Sequence, residues 1–259
     1  MSSKPGDKPR IAIPLPTSTD PEYNQRSWPQ YARAVEQSGG TPVEVPLHQD
    51  PSAIARQVAS CAGVLLPGSP ADIFPQRYGQ QPHPRTSARD PLREAADELL
   101  LQDAFNLHKP LLCICYGHQS MNVWKGGTLV QHLETPVNHT PGRTVAEAHP
   151  VTLTPHARHL QAAFAGQSPQ VNSSHHQAVA TPGDGLFPAA YVAQDNVVEA
   201  VEAEEGFVVG LQWHPERTFD TQPASRRIFA DFIDAARAWS VPAIDTEPAT
   251  PPGSHVEQP

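Results

Sequence analysis

The chain has 259 residues, of which 18 are Lys or Arg and 27 are Asp or Glu, and its formal net charge is −9. That balance disfavours a nucleic-acid backbone or an anionic membrane surface as the main partner, and no stretch approaches the ~20 apolar residues of a membrane span. The first ten residues lack the apolar centre of a secretory signal, and the 3 cysteines do not suggest a disulfide framework, so we expect a cytoplasmic protein that acts on a small molecule.

Proline-rich, polar segments set the ends of the chain apart from its centre. The chain contains 30 prolines, and residues 241–259 combine several of them with almost no apolar side chains. Such composition cannot bury enough surface to fold, so we predict disordered tails over residues 1–9 and 241–259. The remaining residues, 10–240, are predicted to form one domain with a sizeable core.

In the first half of this domain, short apolar runs alternate with segments of helical periodicity. Helices are predicted in the residues before Gly39 and over 51–61 and 91–107. The runs predicted as buried strands are "RIAIPLP" (10–16), "TPVEVPL" (41–47), "GVLLPG" (63–68) and "PLLCIC" (110–115). This alternation predicts an α/β fold with a doubly wound, mostly parallel sheet, which binds ligands outside the carboxyl ends of its strands.

From residue 144 onward the strand-like runs lie closer together. Closely spaced strands favour hairpins, so we predict an antiparallel edge on the sheet, followed by a closing helix over 224–239. The runs in question are "RTVAEAHPVTLT" (143–154), "AAYVAQ" (189–194), "VVEAVEAEE" (197–205) and "FVVGLQW" (207–213).

A cysteine stands where one buried strand must turn. In "LLCICYGHQSMNV" we expect the strand to end at Cys115, Tyr116 and Gly117 to form a tight turn, and a helix to run over 118–125. The N-terminus of a helix favours thiolate over thiol, which makes a cysteine nucleophilic. Taken alone, this segment is explained equally well by an inert buried cysteine.

The other cysteines are interpreted as structural. Cys113 lies inside the same strand and Cys61 lies at a helix end, so both are predicted to fill the core. A metal site built from Cys113, Cys115 and His118 would lack a fourth ligand and the usual zinc spacing, and we predict no metal there.

A second polar motif decides between these interpretations. In "FVVGLQWHPERTF" (207–219), His214 follows an apolar strand and Glu216 follows two residues later. Residues i and i+2 of an extended segment point to the same side, so the Glu216 carboxylate can hold one ring nitrogen of His214 while the other faces a thiol. A nucleophile, a base and an orienting acid are the parts of an acyl-transfer triad.

These motifs resemble those of a known family. "CICYGHQ" (113–119) is similar to the G-x-C-x-G-x-Q elbow of class I glutamine amidotransferases, and "LQWHPE" (211–216) is similar to their V-Q-(W/F/Y)-H-P-E segment. The resemblance narrows to the gamma-glutamyl hydrolase branch, and within it to gamma-glutamyl-gamma-aminobutyrate hydrolases, and covers most of 10–235. The stretches that narrow it are "LLPGSPADIFPQRYG" (65–79), "RDPLREAADELLLQDAF" (89–105) and "VNSSHHQAV" (171–179).

The resemblance implies a flavodoxin-like fold of the class I glutamine amidotransferase kind and a catalytic machinery without a cofactor. It makes Cys115 the nucleophile, His214 the general base and Glu216 the partner of that base. The oxyanion hole would be the backbone N–H of Tyr116 together with that of Gly68 or Ser69. Tyr116 replaces an Arg that is frequent in the family, which leaves the preference for the leaving group open.

The glutamyl end of a substrate carries an ammonium and a carboxylate and needs polar partners at a fixed distance from the thiol. The residues that the resemblance places there are Gln119, Asn172, Ser173, Ser174 and His175, with Arg89 as a charge partner. The remaining histidines of interest are interpreted as surface, structural or ordinary polar residues: His118, His132, His139, His149 and His176.

Three functions follow as hypotheses. The leading one is a cysteine hydrolase that cleaves the γ-glutamyl amide bond of small γ-glutamyl amines through a thioester and releases glutamate, as in polyamine catabolism. The second is a glutaminase subunit that supplies ammonia to a partner synthase, and the third is a γ-glutamyl-binding module without catalysis. A homodimer is compatible with the sequence, and nucleic acid and membrane are not expected as partners.

Overall fold

A computed structural model of the protein describes residues 8–166 and 169–241. Of the two predicted tails, residues 1–7 and 242–259 lie outside the described residues. Pro9, which was predicted to belong to the first tail, is buried, and its carbonyl oxygen accepts a 2.8 Å hydrogen bond from the N–H of Thr41. The chain therefore joins the domain slightly earlier than its composition indicates.

The first half of the chain alternates strands and helices as predicted. Two of these helices begin at an Asp whose carboxylate accepts a backbone N–H, Asp20 from Tyr23 and Asp90 from Arg93, with Pro at the first helical position. The elements are β1 (Arg10–Pro14), α1 (Pro21–Gln37), β2 (Thr41–Val45), α2 (Pro51–Ala59), β3 (Gly63–Leu66), a 3₁₀ turn (Pro75–Tyr78), α3 (Pro91–Asn106), β4 (Leu111–Ile114) and α4 (Tyr116–Trp124).

The second half is richer in short elements than the sequence indicates. The run 143–154 forms only two strands of two residues each, and β5, β8, β9 and α5 were not predicted. The elements are β5 (Thr128–Val130), β6 (His149–Pro150), β7 (Thr152–Leu153), α5 (Arg158–Phe164), β8 (Gln170–Val171), β9 (Ala178–Thr181), β10 (Leu186–Tyr191), β11 (Val198–Ala203), β12 (Val208–Leu211) and α6 (Pro223–Ala238).

The main sheet has the strand order β2-β1-β3-β4-β12-β11-β10-β7. Pairing is parallel from β2 to β12 and antiparallel from β12 to β7, so the sheet is mostly parallel with an antiparallel edge, as predicted. One detail differs: β12 was grouped with the antiparallel strands, yet it also lies parallel to β4, with Gly210 opposite Cys113 and Leu211 opposite Ile114. This pairing decides where the functional residues meet.

Helices cover both faces of the sheet. Alternate residues of β1 face opposite layers: Ile11 and Ile13 pack with Phe229 and Phe232 of α6, whereas Ala12 packs with Leu100 of α3. Replacing a buried phenylalanine such as Phe232 by alanine in a core of this kind costs about 3–5 kcal/mol. Among the described residues, no helix combines the length and apolar character needed to cross a membrane.

Candidate active site

Two neighbouring parallel strands end at the same edge of the sheet. Cys115 directly follows β4, and His214 lies three residues beyond the end of β12. A Cβ atom placed on Gly68, which follows β3, would lie 3.0 Å from Cε1 of His214 and 3.5 Å from Cβ of Cys115. The cysteine, the histidine and this glycine therefore surround one point at the carboxyl edge, where α/β sheets bind their ligands.

The backbone at Cys115 has a strained conformation. Its φ of 53° and ψ of −107° are unusual for a residue with a side chain, at a cost of about 1–3 kcal/mol. Two hydrogen bonds hold it: the N–H of Cys115 donates to the carbonyl of Leu211 at 2.7 Å, and its carbonyl accepts from the N–H of Gln119 at 3.1 Å. The chain therefore passes directly from strand to helix at the thiol.

The helix after the thiol begins earlier than predicted. Tyr116 and Gly117 are the first two residues of α4 and do not form a separate turn. A Cβ atom on Gly117 would lie only 2.3 Å from the carbonyl oxygen of Leu66, so glycine is needed where α4 crosses β3. Because α4 starts directly after Cys115, the N–H groups of its first turn lie next to the thiol, and that of Tyr116 acts to lower the pKa of the thiol.

His214 and Glu216 form the contact that their spacing predicts. Nδ1 of His214 donates to Oε1 of Glu216 at 2.7 Å, and both side chains are buried. The segment between them is a turn rather than an extended strand, because the N–H of Arg217 donates to the carbonyl of His214. Burial opposes ionisation of Glu216, yet the His214 ring and Arg217 keep its pKa below the ordinary value.

The other nitrogen of His214 is hydrogen-bonded to an arginine. The Arg217 guanidinium donates to Nε2 at 3.0 Å, while the thiol of Cys115 receives a 3.7 Å contact from the amide of Gln212. Burial lowers the pKa of His214 to about 4, with Glu216 opposing the shift and Arg217 adding to it. The imidazole is therefore neutral at physiological pH, with its proton on Nδ1.

The thiol of Cys115 differs from the sequence-based expectation of a thiolate. Burial raises its pKa to about 11, and this effect outweighs the opposing influence of Arg217 and of the Tyr116 N–H. The helix N-terminus alone does not ionise a group withdrawn so far from solvent. In this state the site holds a neutral thiol beside a neutral imidazole.

The amide groups predicted for the oxyanion hole lie at the same edge. The N–H of Gly68 donates to the hydroxyl of Tyr31 at 3.1 Å, and the hydroxyl of Ser69 accepts from the N–H of Ala71. The Tyr116 side chain turns away from the site and packs with Ile73, under the Arg93 guanidinium at 4.7 Å. Tyr116 therefore adjoins Cys115 through its backbone, while its side chain packs in the core.

Three of the residues predicted to contact substrate are engaged by protein groups. The amide of Gln119 donates to the carbonyl of Gln177 and to the side-chain oxygen of Gln212, both at 3.1 Å. Asn172 exchanges two hydrogen bonds of 2.8 Å with the backbone N–H and carbonyl of His214. The hydroxyl of Ser173 donates to the carbonyl of His139.

The remaining predicted contacts lie in different surroundings. Ser174 is half-buried. His175 is buried, with Nδ1 donating to the carbonyl of Gln177 at 2.8 Å and Nε2 facing Glu199 at 3.3 Å. Arg89 pairs with Glu94 at 2.7 Å and stacks over Phe74, and its described contacts do not include the triad. The substrate roles of these residues stay predictions.

The structure adds polar residues that sequence reasoning missed. Tyr31, Gln212 and Arg217 contact Gly68, Cys115 and His214 respectively. Gln212 and Arg217 lie close to His214 in the sequence, within "FVVGLQWHPERTF" (207–219), so their position in this motif could have identified them as site residues. Arg93 is fully buried and joins the ends of β1 and β3 through the carbonyls of Pro16 and Pro67, and nothing in its local sequence indicates this.

The histidines interpreted as surface or structural residues are mostly interior. His118, His139 and His149 are buried, and only His132 is half-exposed among the four. Burial lowers the pKa of His118 to about 3. Cys61 and Cys113 are buried core residues, as predicted.

A separate cavity lies at the opposite edge of the sheet. It has a volume of ≈ 570 Å³ and opens beside Leu111 and Val208, at the amino ends of β4 and β12. Cys115, His214 and Glu216 do not line it, because they lie at the carboxyl edge.

Comparison with known proteins places this arrangement in a family. The model of the Peptidase C26 family matches residues 15–216. The chain belongs to the Peptidase C26 family. Members of this family are class I glutamine amidotransferase-like proteins, as the motifs indicated, and the chain is a hydrolase of C–N amide bonds.

Individual relatives agree with this membership in Peptidase C26. "Putative glutamine amidotransferase Rv2859c" of Mycobacterium tuberculosis is 35% identical over 223 residues, which cover 84% of this chain and 70% of the relative. Gamma-glutamyl-gamma-aminobutyrate hydrolase PuuD of Escherichia coli K12 is 28% identical over 222 residues, which cover 80% and 85% of the two chains.

The fold is shared with a solved structure. The crystal structure of a "putative gmp synthase subunit a protein" from Thermoplasma acidophilum superposes with a TM-score of 0.58. The match covers 89% of this chain and 94% of that one at 16% sequence identity. It supports the flavodoxin-like fold of this Peptidase C26 protein and carries no statement about its substrate.

Proposed function

We propose that the protein hydrolyses the γ-glutamyl amide bond of small γ-glutamyl amines through a thioester on Cys115 and releases glutamate. One observation carries this proposal: the 2.7 Å hydrogen bond between His214 and Glu216 lies beside a strand-to-helix elbow that presents Cys115. Membership in Peptidase C26 and the 28% identical relative named gamma-glutamyl-gamma-aminobutyrate hydrolase support the substrate class.

The first half of the reaction forms the thioester. Glu216 keeps the His214 proton on Nδ1, so Nε2 has a free lone pair once the Arg217 guanidinium turns aside. As Sγ of Cys115 bonds to the γ-carbonyl carbon, the thiol proton passes to Nε2, and the carbonyl π electrons move to oxygen. The C–N bond then breaks, and the amine leaves with the proton from Nε2.

The second half returns the enzyme to its starting state. A water molecule gives its proton to Nε2 of His214 while its oxygen bonds to the thioester carbon. The C–S bond breaks, the proton returns to Sγ, and glutamate leaves. Protein side chains suffice for each transfer, so the proposal requires no cofactor.

The negative oxygen formed in both halves needs backbone donors. Tyr116 offers the N–H at the start of α4, and Gly68 or Ser69 offers the second. In the substrate-free site the Gly68 N–H is bonded to the Tyr31 hydroxyl, so the substrate oxygen replaces that hydroxyl when it binds. Each donor of this kind is worth about 10²–10³ in kcat.

The glutamyl end is proposed to lie between α4 and the loop after β8. Ser174 is half-buried and is available for direct contact with the substrate. Gln119 is also available, because its amide is hydrogen-bonded to Gln212, the residue whose side chain contacts the Cys115 thiol. Asn172 acts on the substrate indirectly, because its amide holds the backbone of His214. Arg89 would contribute only by leaving Glu94.

A steady-state assay tests the proposal. The wild type, Cys115→Ala and the matched control Cys61→Ala are compared on γ-glutamyl-γ-aminobutyrate, a γ-glutamyl anilide and glutamine. We expect Cys61→Ala to retain activity and Cys115→Ala to lose at least about 10³-fold in kcat, since the covalent route is removed. Undiminished hydrolysis by Cys115→Ala would refute the assignment.

A second function is supported by the names of several relatives. The Mycobacterium tuberculosis relative is named as a glutamine amidotransferase, which favours ammonia transfer to a partner synthase as the alternative. Glutamine hydrolysis that is weak alone and rises on addition of a co-purified partner would support it. High activity on γ-glutamyl amines without a partner would exclude it.

A further inference from the structure

Four buried side chains from distant parts of the chain converge beside the active site. They are His139, His149, His175 and Glu199, and one ligand atom of each lies within 4.8 Å of the others. His149 begins β6, Glu199 lies in β11, and the other two lie in loops. Nε2 of His175 and Nδ1 of His139 are each 3.3 Å from Oε1 of Glu199, and Nε2 of His149 is 3.7 Å from it.

Despite these short distances, none of the facing atoms makes a hydrogen bond of normal geometry within the described part of the chain. Nδ1 of His139, Nε2 of His149, Nε2 of His175 and both oxygens of Glu199 are buried and unpaired. A buried carboxylate without a partner costs several kcal/mol, so native proteins rarely retain one. The vacant lone pairs therefore indicate a group that the protein chain does not itself supply.

Contacts behind two of the rings determine which nitrogen faces inward. Nε2 of His139 is 2.9 Å from Oδ2 of Asp195, and Nδ1 of His175 donates to the carbonyl of Gln177 at 2.8 Å. With a metal ion bound, each ring would carry its proton on this outer nitrogen and present the lone pair of the other nitrogen to the centre of the cluster. A carboxylate or carbonyl behind a histidine is the usual support of a metal ligand.

The charges of the cluster also fit a dication. Glu199 and Asp195 supply two buried carboxylates. Within residues 8–166 and 169–241, neither carboxylate forms an ion pair with a Lys or Arg. A divalent ion with three neutral imidazoles and these carboxylates would leave the assembly neutral.

We propose that His139, His149, His175 and Glu199 bind one Zn²⁺ ion. Zn²⁺ binds imidazole nitrogen and carboxylate oxygen at about 2.0–2.2 Å in a tetrahedron, whose ligand-to-ligand edges are therefore about 3.3–3.6 Å. The distances from Glu199 to His139 and His175, both 3.3 Å, fall within this range, and the distance to His149, 3.7 Å, is slightly longer. Three imidazoles with a carboxylate suit Zn²⁺ better than Mg²⁺ or Ca²⁺, which prefer oxygen.

Four protein ligands leave no open position, so the site is structural. It joins β6 and the loops that carry His139 and His175 to β11, next to the triad. The carbonyl of Glu199 accepts from the N–H of Gln212, whose side chain contacts the Cys115 thiol. The ion would therefore anchor the wall behind the nucleophile without taking part in the chemistry.

A route for the ion is present. A cavity of ≈ 400 Å³ reaches His139 and His175 from the surface and is also bordered by His132, Thr140 and His176. The cavity therefore brings solvent to the side of the cluster formed by two of its four ligands.

Metal analysis of the wild-type protein is the first test. We expect about one equivalent of zinc per chain by mass spectrometry of the elements, and a lower Tm after removal of zinc by a chelator. Protein produced in cobalt-supplemented medium is expected to show the intense visible absorption of tetrahedral Co²⁺. Substoichiometric metal, no cobalt spectrum and a Tm insensitive to chelator would overturn the proposal and leave a metal-free histidine network.

Variants locate the ion. Glu199→Gln and His149→Asn are expected to reduce bound zinc to a small fraction of the wild-type value, whereas the control His176→Asn, which changes a histidine outside the cluster, keeps it. Cys115→Ala is also expected to keep zinc, so loss of hydrolysis and loss of metal are separable. Full zinc content in Glu199→Gln and His149→Asn would overturn the proposed ligands; if these variants fail to fold, the wild-type metal content and cobalt spectrum decide.

Discussion

Arg217 donates a hydrogen bond of 3.0 Å to Nε2 of His214, the nitrogen that receives the thiol proton in the proposed mechanism. The same guanidinium lies 3.5 Å from the carboxylate of Glu216. Arg217 thus occupies Nε2 of His214 in the substrate-free site, and it influences the ionisation of Cys115, His214 and Glu216. The proposed mechanism requires this side chain to release Nε2 before the thiol proton can be transferred.

Removing Arg217 should change the pH dependence of the reaction. Arg217 lowers the pKa of His214, so Arg217→Ala raises that pKa. Because the base acts in its neutral form, the acidic limb of kcat/KM is expected to move to higher pH. The measurement is a full pH profile of both proteins. Arg227→Ala, which changes an exposed pair with Asp231 on α6, serves as control and should leave the profile unchanged. An acidic limb unmoved by Arg217→Ala would contradict this role.

The thiol of the substrate-free enzyme should react slowly with alkylating agents at neutral pH. Burial raises the pKa of Cys115 to about 11, so the thiolate fraction rises only at alkaline pH. We expect the rate of iodoacetamide labelling at Cys115 to increase continuously up to that range, with Cys115→Ala subtracting the reaction of other cysteines. A rate that levels off near neutral pH would reveal a preformed thiolate and imidazolium pair instead.

Asn172 should act by positioning His214. Asn172→Ala leaves the N–H and carbonyl of His214 buried and unpaired, and each lost partner costs about 1–3 kcal/mol. We expect kcat to fall about 10–100-fold with a smaller change in KM, whereas exposed Asn138→Ala should have wild-type kinetics. A rise in KM at constant kcat would instead assign Asn172 to direct substrate binding.

Gly68 should tolerate no side chain. A Cβ atom there would meet Cε1 of His214 at 3.0 Å and the hydroxyl of Tyr31 at 3.2 Å, within the space proposed for the oxyanion. Gly68→Ala is expected to reduce kcat about 10²-fold, which is the effect of losing one hydrogen-bond donor of an oxyanion hole. Its Tm is expected to fall less than that of a core substitution. The exposed neighbour variant Pro70→Ala should be nearly neutral. Wild-type kcat in Gly68→Ala would place the oxyanion elsewhere.

Local patterns in the sequence were sufficient for the parallel half of the fold. The apolar runs of β1 and β4 and the Asp-Pro starts of α2 and α3 carry their own signals, and the order of elements follows from them. The parallel pairing of β12 with β4 is a tertiary property, because it joins residues such as Gly210 and Cys113 that are far apart in the sequence. Two-residue strands such as β6 are too short for any periodicity.

In the candidate site, as in the fold, contacts between residues close in sequence were predictable, and properties that depend on the folded chain were not. The His214 to Glu216 contact depends on two positions close in sequence and was predictable. The elevated pKa of Cys115 depends on burial, which the helix N-terminus argument did not include. His139 and Glu199 lie 60 positions apart and meet only in the folded chain, so neither spacing nor composition indicated their cluster.

The central claim is that Cys115 attacks the γ-carbonyl with His214 as its base. Intact-protein mass spectrometry of rapidly quenched wild type, mixed with a γ-glutamyl amide, tests it most directly. We predict a glutamyl adduct that maps to Cys115, forms before steady state and is absent from Cys115→Ala. Full turnover with no adduct in the wild type, or an adduct on Cys115→Ala, would contradict the account.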